Sequence, residues 1–139
     1  MKGLKVLLVD DNLTIIKLTE AYFSEIDELS ECSIVSTSLY DVALNAMCKN
    51  RYDLYMVDYL LGRKTGLQLI TEARFGGCTG AILMITHLDD PLLDKTAIEC
   101  GADWFVDKMA VIPSTIVSIL EMTYREWERS PYNQRLDEL

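Results

Sequence analysis

The feature of this sequence that most limits its fold is a regular alternation of short apolar runs with amphipathic helical segments. Each run is about six residues long, rich in Val, Leu and Ile, and bounded by turn or capping residues, which predicts a strand buried on both faces. Each run is followed by a helical pattern. The predicted strands span residues 5–10, 32–37, 53–58, 81–86 and 102–107.

Capping residues place the helices between these strands. Asp11 or Asn12 can cap the first helix, Ser38 begins a capping-box-like start, and Pro91 suits the first turn of a helix capped by Asp90. Residues 62–66 are predicted to form a loop, which a short helix follows. The predicted helices span residues 13–29, 38–50, 67–75, 91–100 and 114–129.

Five strand–helix units in sequence predict an α/β fold, a doubly wound parallel sheet of five strands with helices on both faces. The expected strand order is 2-1-3-4-5, the flavodoxin-like order. The chain of 139 residues is long enough for one domain of ordinary size, which we expect over residues 1–129. Residues 130–139 are then either a frayed tail or the start of a linker to a further module.

Net charge and cysteine content indicate which binding partners and which cellular compartment suit this chain. The net charge of −9 argues against a nucleic-acid backbone or an anionic membrane as the main partner, since both would repel the chain. No apolar run approaches the roughly 18 residues of a membrane span. The four cysteines are spread along the chain without metal-ligand spacing, which favours reduced thiols and a cytoplasmic location.

Polar side chains stand at the carboxyl ends of the predicted strands. Asp10 and Asp11 end the first strand, Asp58 ends the third, Thr86 ends the fourth, and Lys108 follows the fifth. In a parallel sheet these ends share one edge, and ligands bind there, beside the point where the strand order reverses. The aspartates alone could serve as helix caps, but together with the hydroxyl and the ammonium they predict a site.

The chemistry of such a site follows from its charges. Three carboxylates at close range repel one another, so one must take a proton or a divalent cation must lie among them. Carboxylate oxygens with open positions suit Mg²⁺, which also allows a phosphate to approach. Lys108 can pair with a phosphoryl oxygen, Thr86 can donate a hydrogen bond to another, and a carboxylate can act as nucleophile.

Four motifs at these positions resemble the receiver domain of two-component response regulators. They are LLVDDN at the first strand, DLYMVDYLLGRKTG at the third, MITH at the fourth and GADWFVDK at the fifth. The resemblance covers residues 4 to about 125. It implies that Asp58 is the phosphoacceptor and that Thr86 and Lys108 hold the phosphoryl group.

The resemblance also implies a metal site and a switch. Asp11 and Asp58 would bind Mg²⁺ through their side chains, the backbone carbonyl of Leu60 would be a third ligand, and Asp10 would act mainly through a bound water. Phe105 matches the family's switch aromatic. Thr86 would move inward toward the phosphoryl oxygens, and the ring of Phe105 would fill the space it leaves.

The partners implied are those of a signalling protein rather than of a turnover enzyme. A sensor histidine kinase or a phosphotransfer protein would supply the phosphoryl group. An output module or another partner would bind the face made by the fourth helix, the fifth strand and the fifth helix, and a homodimer is possible there. No DNA-binding segment is visible in the sequence.

Some positions depart from the family pattern. Met109 stands where a proline in a cis bond is common, so the Lys108–Met109 bond is expected to be trans and Lys108 to sit differently. Gly62 replaces a proline, which predicts a looser loop after Asp58. His87 replaces a small residue and would restrict access to the site. Gly66 matches the family's loop glycine.

Two alternatives to a phosphoacceptor remain open, and a third is a poor match. An interaction module that works without phosphorylation would explain His87 and Met109. A Mg²⁺-dependent hydrolase of small phosphate esters would use the same chemistry, although its usual DxD spacing is replaced here by adjacent acids. A flavodoxin would need a phosphate loop of Ser, Thr and Gly after the first strand, where this chain has Asp10 and Asp11.

Overall fold

The computed structural model describes residues 3–86 and 91–129, and within them five parallel strands form the main sheet. Their spatial order is β2-β1-β3-β4-β5, so the predicted order is confirmed. β3 lies at the centre and is buried along its whole length, as its unbroken apolar sequence predicts. The strands are β1 (Lys5–Val9), β2 (Ser33–Thr37), β3 (Leu54–Asp58), β4 (Ala81–Thr86) and β5 (Trp104–Asp107).

Helices cover both faces of this sheet because alternate residues of each strand point to opposite sides. On one face, Leu7 and Val57 pack against α2, α3 and α4, and on the other Leu8 and Met56 pack against α1 and α5. The doubly wound α/β prediction is therefore confirmed. The helices are α1 (Leu13–Glu25), α2 (Tyr40–Cys48), α3 (Gly66–Phe75), α4 (Pro91–Cys100) and α5 (Pro113–Arg129).

The first helix is shorter than predicted. It begins after Asn12, whose side chain accepts hydrogen bonds from the backbone of Thr14 and Ile15, so Asn12 and not Asp11 is the cap. It ends at Glu25, Ile26 is extended, and a separate 3₁₀ turn covers Asp27–Leu29. Leu29 is fully buried, so the change of direction carries this side chain into the core below β2.

The predicted cap of the second helix is wrong. α2 begins at Tyr40, and its N-cap position, Leu39, makes no side-chain hydrogen bond. The Leu39 N–H donates instead to the hydroxyl of Thr37 at 3.1 Å, which turns the chain directly at the end of β2. The capping box lies at α3, where Thr65 and Gln68 satisfy each other's backbone N–H groups.

The segment after β3 is a hairpin rather than the predicted loop. Two short strands, Leu60–Leu61 and Lys64–Thr65, pair in antiparallel fashion, and we call residues 60–65 the β3–α3 hairpin. Gly62 takes a φ of +67° at the first position of its two-residue turn, a conformation that glycine adopts without strain. Glycine here therefore makes a closed turn and not the looser loop that the missing proline predicted.

Other differences are confined to the ends of elements. β5 begins at Trp104, two residues later than predicted, and α5 begins at Pro113, one residue earlier. Asp90, the predicted cap of α4, and residues 130–139 lie outside the described residues. Among the helices of the described ranges, none is long and apolar enough to cross a membrane.

Candidate functional site

Asp10 is held at the carboxyl end of β1 by local geometry. Its backbone N–H donates to the Thr37 carbonyl at 3.1 Å, continuing the β1–β2 ladder, and its Oδ1 accepts from the Asn12 N–H at 2.8 Å. The side chain is completely buried. Its second oxygen, Oδ2, is also buried and has no hydrogen-bond donor among the described residues. The Lys108 ammonium lies 3.4 Å from this oxygen, which is ion-pair distance without hydrogen-bond geometry.

Asp58 ends the central strand and points into the same region. It lies between β1 and β4 in the sheet, and Tyr59 continues the ladder by donating to the Ile85 carbonyl at 2.8 Å. One carboxylate oxygen from each of Asp10, Asp11 and Asp58 lies within 4.8 Å of the other two. Asp11 is exposed, whereas Asp10 and Asp58 are buried. The structure thus brings the three predicted carboxylates together.

Lys108 bridges the two buried carboxylates. Its Nζ lies 3.4 Å from Oδ2 of Asp10 and 3.5 Å from Oδ2 of Asp58, and its side chain is 5% exposed. The peptide bond to Met109 is trans, as are the other peptide bonds of the described chain. The ammonium therefore reaches both carboxylates next to a trans bond and without a proline after it.

A short turn places Lys108 in this position. Residues Lys108–Ala110 form a 3₁₀ turn, and the Asp107 side chain caps it by accepting from the Met109 N–H at 2.8 Å. Proline at residue 109 would have no N–H to donate. Sequence reasoning missed this role of Asp107, although an aspartate two residues before Met109 is the signal of such a turn.

Burial and charge act together on Asp58. Desolvation raises the pKa of its carboxyl group above the ordinary value, and the neighbouring charge of Asp10 raises it further. Lys108 opposes both effects without cancelling them. One ammonium thus faces two buried carboxylates and a third at the surface, so the cluster keeps an excess of negative charge that disfavours the ionised form of Asp58.

The donor set fits Mg²⁺. It consists of carboxylate oxygens, one of them buried without a hydrogen-bond donor, and an exposed acid on the solvent side. The β3–α3 hairpin adds a backbone oxygen. Leu60 pairs with Thr65 next to Tyr59 and Gly66, which are joined by a hydrogen bond from the Gly66 N–H to the Tyr59 carbonyl, so the Leu60 carbonyl lies outside the inter-strand hydrogen bonds.

Thr86 and Phe105 lie on the two strands beyond β3. Thr86 is buried at the end of β4, one residue past Ile85, which pairs with Asp58. Phe105 on β5 is 39% exposed. Its ring lines a groove of about 390 Å³ between β5 and α5, whose floor and walls are Trp104, Val106, Ser114, Thr115, Ser118, Ile119 and Met122. His87 lies outside the described residues.

Gly66 is required by a close approach to Asp58. A Cβ at residue 66 would lie 2.5 Å from the carbonyl oxygen of Asp58 and 3.2 Å from the Cα of Tyr59. Its backbone conformation is an ordinary one, so space and not dihedral freedom explains the glycine. The first turn of α3 therefore packs directly against the backbone that carries the candidate nucleophile.

A Gly66→Ala variant should test this contact. Because backbone must move to admit the methyl group, we expect the free energy of unfolding to fall by about 2–3 kcal/mol. Gly62→Ala is the matched control, since a Cβ there meets nothing within 4 Å and only the φ of +67° is unfavourable. Its cost should be near 1 kcal/mol. Urea denaturation measures both variants, and equal losses of stability in Gly66→Ala and Gly62→Ala would contradict the close approach of residue 66 to the Asp58 backbone.

Comparisons with known proteins concern the sequence and the fold as a whole. A family model described as "Response regulator receiver domain" matches residues 6–121. The transcriptional regulatory protein CiaR of Streptococcus pneumoniae is 31% identical over 109 residues, which cover 76% of this chain and 45% of CiaR. The chain thus spans less than half the length of the curated relatives it matches.

Solved structures are similar in fold. The BeF₃-activated N-terminal receiver domain of Klebsiella pneumoniae RstA is 25% identical with a TM-score of 0.75, covering 87% of this chain and 98% of that one. The signal receiver domain of a LuxO-type repressor from Vibrio parahaemolyticus is 16% identical with a TM-score of 0.79, covering 91% and 93%. At that identity the second likeness concerns the fold alone.

Proposed function

The chain belongs to the response regulator receiver domain family of two-component signalling, and from this premise we propose that Asp58 accepts a phosphoryl group. The domain would occupy residues 1–129. The observation that carries the proposal is the cluster in which one oxygen from each of Asp10, Asp11 and Asp58 lies within 4.8 Å of the others, while Lys108 contacts the carboxylates of Asp10 and Asp58. We infer a signalling switch and not a turnover enzyme.

The transfer would proceed by attack of an Asp58 carboxylate oxygen on the phosphorus of the donor. A new O–P bond forms on Asp58, and the bond from phosphorus to the donor's nitrogen or oxygen breaks, with its electron pair leaving on the donor. Lys108 would pair with a phosphoryl oxygen, and Thr86 would donate a hydrogen bond to another. Burial, and after it the charge of Asp10, raises the pKa of Asp58, so a cation that compensates the cluster would favour the ionised carboxylate that attacks.

Residues of the same cluster would hold the metal. Asp11 and Asp58 would contribute side-chain oxygens, Leu60 its backbone carbonyl, and Asp10 a hydrogen bond through a bound water. When bound, Mg²⁺ would neutralise the excess negative charge and orient the phosphoryl oxygens for in-line attack. The ratio of charges supports this assignment, because a single ammonium, that of Lys108, is shared by two buried carboxylates while Asp11 adds a third acid to the cluster.

The output would be a change of the face made by α4, β5 and α5. Phosphorylation would draw Thr86 toward Asp58, and Phe105 would turn into the vacated space. Its ring is partly exposed beside the β5–α5 groove, so an inward turn would change the surface presented to a partner. Phosphorylation would change the binding of a partner only to the extent that the partner's affinity differs between the phosphorylated and unphosphorylated states.

The partners follow from this cycle. A sensor histidine kinase or phosphotransfer protein would approach the acidic rim, where Leu13, Leu60 and Met109 are exposed beside the site residues. Because the matched relatives are transcriptional regulators, an output module or a second copy of the chain would use the α4–β5–α5 face. The four free cysteines suit the cytoplasm.

Labelling by a small acyl phosphate tests the proposal. With Mg²⁺, intact-mass analysis should show one added phosphoryl group that is lost in base, and chelation of the metal should abolish it. Asp58→Asn should show none, whereas Asp41→Asn, an exposed acid on α2, should label normally. Absence of label would favour a phosphorylation-independent interaction module, and repeated turnover of phosphate esters would favour a hydrolase.

A further inference from the structure

The β3–α3 hairpin determines whether the Leu60 carbonyl is available. Antiparallel pairs alternate between hydrogen-bonded and non-hydrogen-bonded types. Gly66 donates to the Tyr59 carbonyl at 2.7 Å, so the next pair, Leu60 with Thr65, is of the non-hydrogen-bonded type. A slip by one residue would move the Leu60 carbonyl into the ladder and turn Leu61, which is buried in the core, toward solvent.

Something outside the hairpin must fix this register, because two strands of two residues are not stable alone. Leu61 provides one anchor by packing into the core. Its cross-strand neighbour Lys64 provides another, since its Nζ lies 4.2 Å from the centre of the Tyr40 ring. Tyr40 is the first residue of α2 and packs against the same core, so the ring is a fixed platform.

The Tyr40 ring faces Lys64 as a neutral phenol. Burial and the nearby charge of Glu72 raise the pKa of Tyr40 to about 12. A neutral aromatic face attracts a cation through its quadrupole, and such contacts are most favourable where water is partly excluded. Lys64 therefore joins the hairpin that follows Asp58 to α2, a helix that supplies none of the proposed site residues.

We propose that Lys64 and Tyr40 are positioning residues for the metal site, and that their contact holds the hairpin in the register that presents the Leu60 carbonyl. The inference rests on the proposed function. It gives a role to Gly62, which in place of a proline closes a two-residue turn and brings Lys64 opposite Leu61. The contact then adds a second anchor to the one that Leu61 provides in the core.

Charge alone predicts the opposite effect of removing Lys64. A cation on the loop that follows Asp58 repels Mg²⁺, so neutralising it should strengthen metal binding if electrostatics were its only influence. If the contact positions the Leu60 carbonyl, neutralisation should weaken binding instead. The sign of the change therefore separates the two roles.

The experiment measures the Mg²⁺ dissociation constant of the full chain by following amide NMR shifts of Asp10, Asp11 and Asp58. We expect Lys64→Met and Tyr40→Leu each to raise this constant about two- to fivefold, the range of a single cation–π contact. The conservative variants Lys64→Arg and Tyr40→Phe keep the cation and the ring and should stay close to the parent chain. Hydrogen exchange of the Lys64 amide should accelerate in the first pair and not in the second.

Arg63→Met is the matched control, because it removes the same charge from the same turn. No ring contact or ion pair of Arg63 is found within the described residues, so this variant should bind Mg²⁺ equally or more tightly. Unchanged or tighter binding by Lys64→Met would overturn the inference. Failure of the parent chain to show Mg²⁺-dependent shifts would instead overturn the proposed function.

Discussion

A Lys108→Met variant of the metal-free protein is expected to unfold with a free energy about 3–5 kcal/mol below that of the parent chain. The reason is the charge it leaves behind. Lys108 lies 3.4 Å from Asp10 and 3.5 Å from Asp58, and both carboxylates are buried. Without the ammonium, two buried negative charges face each other with no compensating cation among the described residues.

Urea denaturation in the presence of a chelator measures this loss, and Lys95→Met is its control. Lys95 lies on the exposed face of α4 and pairs only loosely with Glu99 at 4.0 Å, so its removal should change stability by less than about 0.5 kcal/mol. Saturating Mg²⁺ should return part of the stability of Lys108→Met, because a bound cation compensates the same carboxylates. Similar stabilities of the two variants would show that Lys108 is not engaged in the cluster.

The main sheet could be predicted because its signals are strong and local. The stretch from Leu54 to Asp58 is apolar without interruption until its last residue, which suits a strand covered on both faces. Parallel strands joined by helices then leave few topologies, and the observed order is the one expected. This topology brings the carboxyl ends of the strands to one edge of the sheet. The proximity of Asp10, Asp58 and Lys108 could therefore be predicted from it.

What could not be predicted depends on contacts between distant segments. Ser38 has the sequence of a helix cap, but the hydroxyl of Thr37 at the end of β2 takes the N–H of Leu39 instead. The hairpin after β3 needs both a positive φ at Gly62 and the core contact of Leu61, and only the first has a local signal. Tertiary packing decides these cases against local propensity.

The position of Lys108 shows the limit of an argument by resemblance. The absence of proline at residue 109 predicts a lysine that sits differently from the family's. In this chain a 3₁₀ turn capped by Asp107 directs the Lys108 ammonium to the carboxylates. Such a cap is visible only when the hydrogen-bond partners of the loop are known.

An Asp58→Asn variant is expected to change stability in the opposite direction from Lys108→Met. Removing one carboxylate leaves Lys108 and Asp10, 3.4 Å apart, as a balanced buried pair. We therefore expect the metal-free variant to be about 1–2 kcal/mol more stable than the parent chain at neutral pH. The exposed substitution Glu121→Gln should leave stability within about 0.5 kcal/mol.

The pH dependence of this difference follows from the raised pKa of Asp58. Because the folded protein binds this proton more tightly than the unfolded chain does, the associated stability is present at low pH and is lost as pH rises through the raised pKa. The free energies of unfolding of the parent chain and of Asp58→Asn should thus become similar at pH values below 3.8, the ordinary carboxyl pKa. They should differ increasingly as the pH rises above that value. A constant difference across this range would mean that Asp58 does not titrate abnormally.

Saturating Mg²⁺ should make the parent chain more stable than Asp58→Asn, which reverses their order of stability without metal. A ligand at a hundredfold excess over its dissociation constant stabilises the folded state by about 2.7 kcal/mol, which exceeds the expected advantage of Asp58→Asn. The parent chain offers three carboxylates to the cation, whereas the variant offers only Asp10 and Asp11 and binds it more weakly. The same negative charge that destabilises the metal-free fold is then what binds the metal. The Asp58→Asn variant, which is more stable without metal, should therefore lose both its stabilisation by Mg²⁺ and its capacity to accept a phosphoryl group.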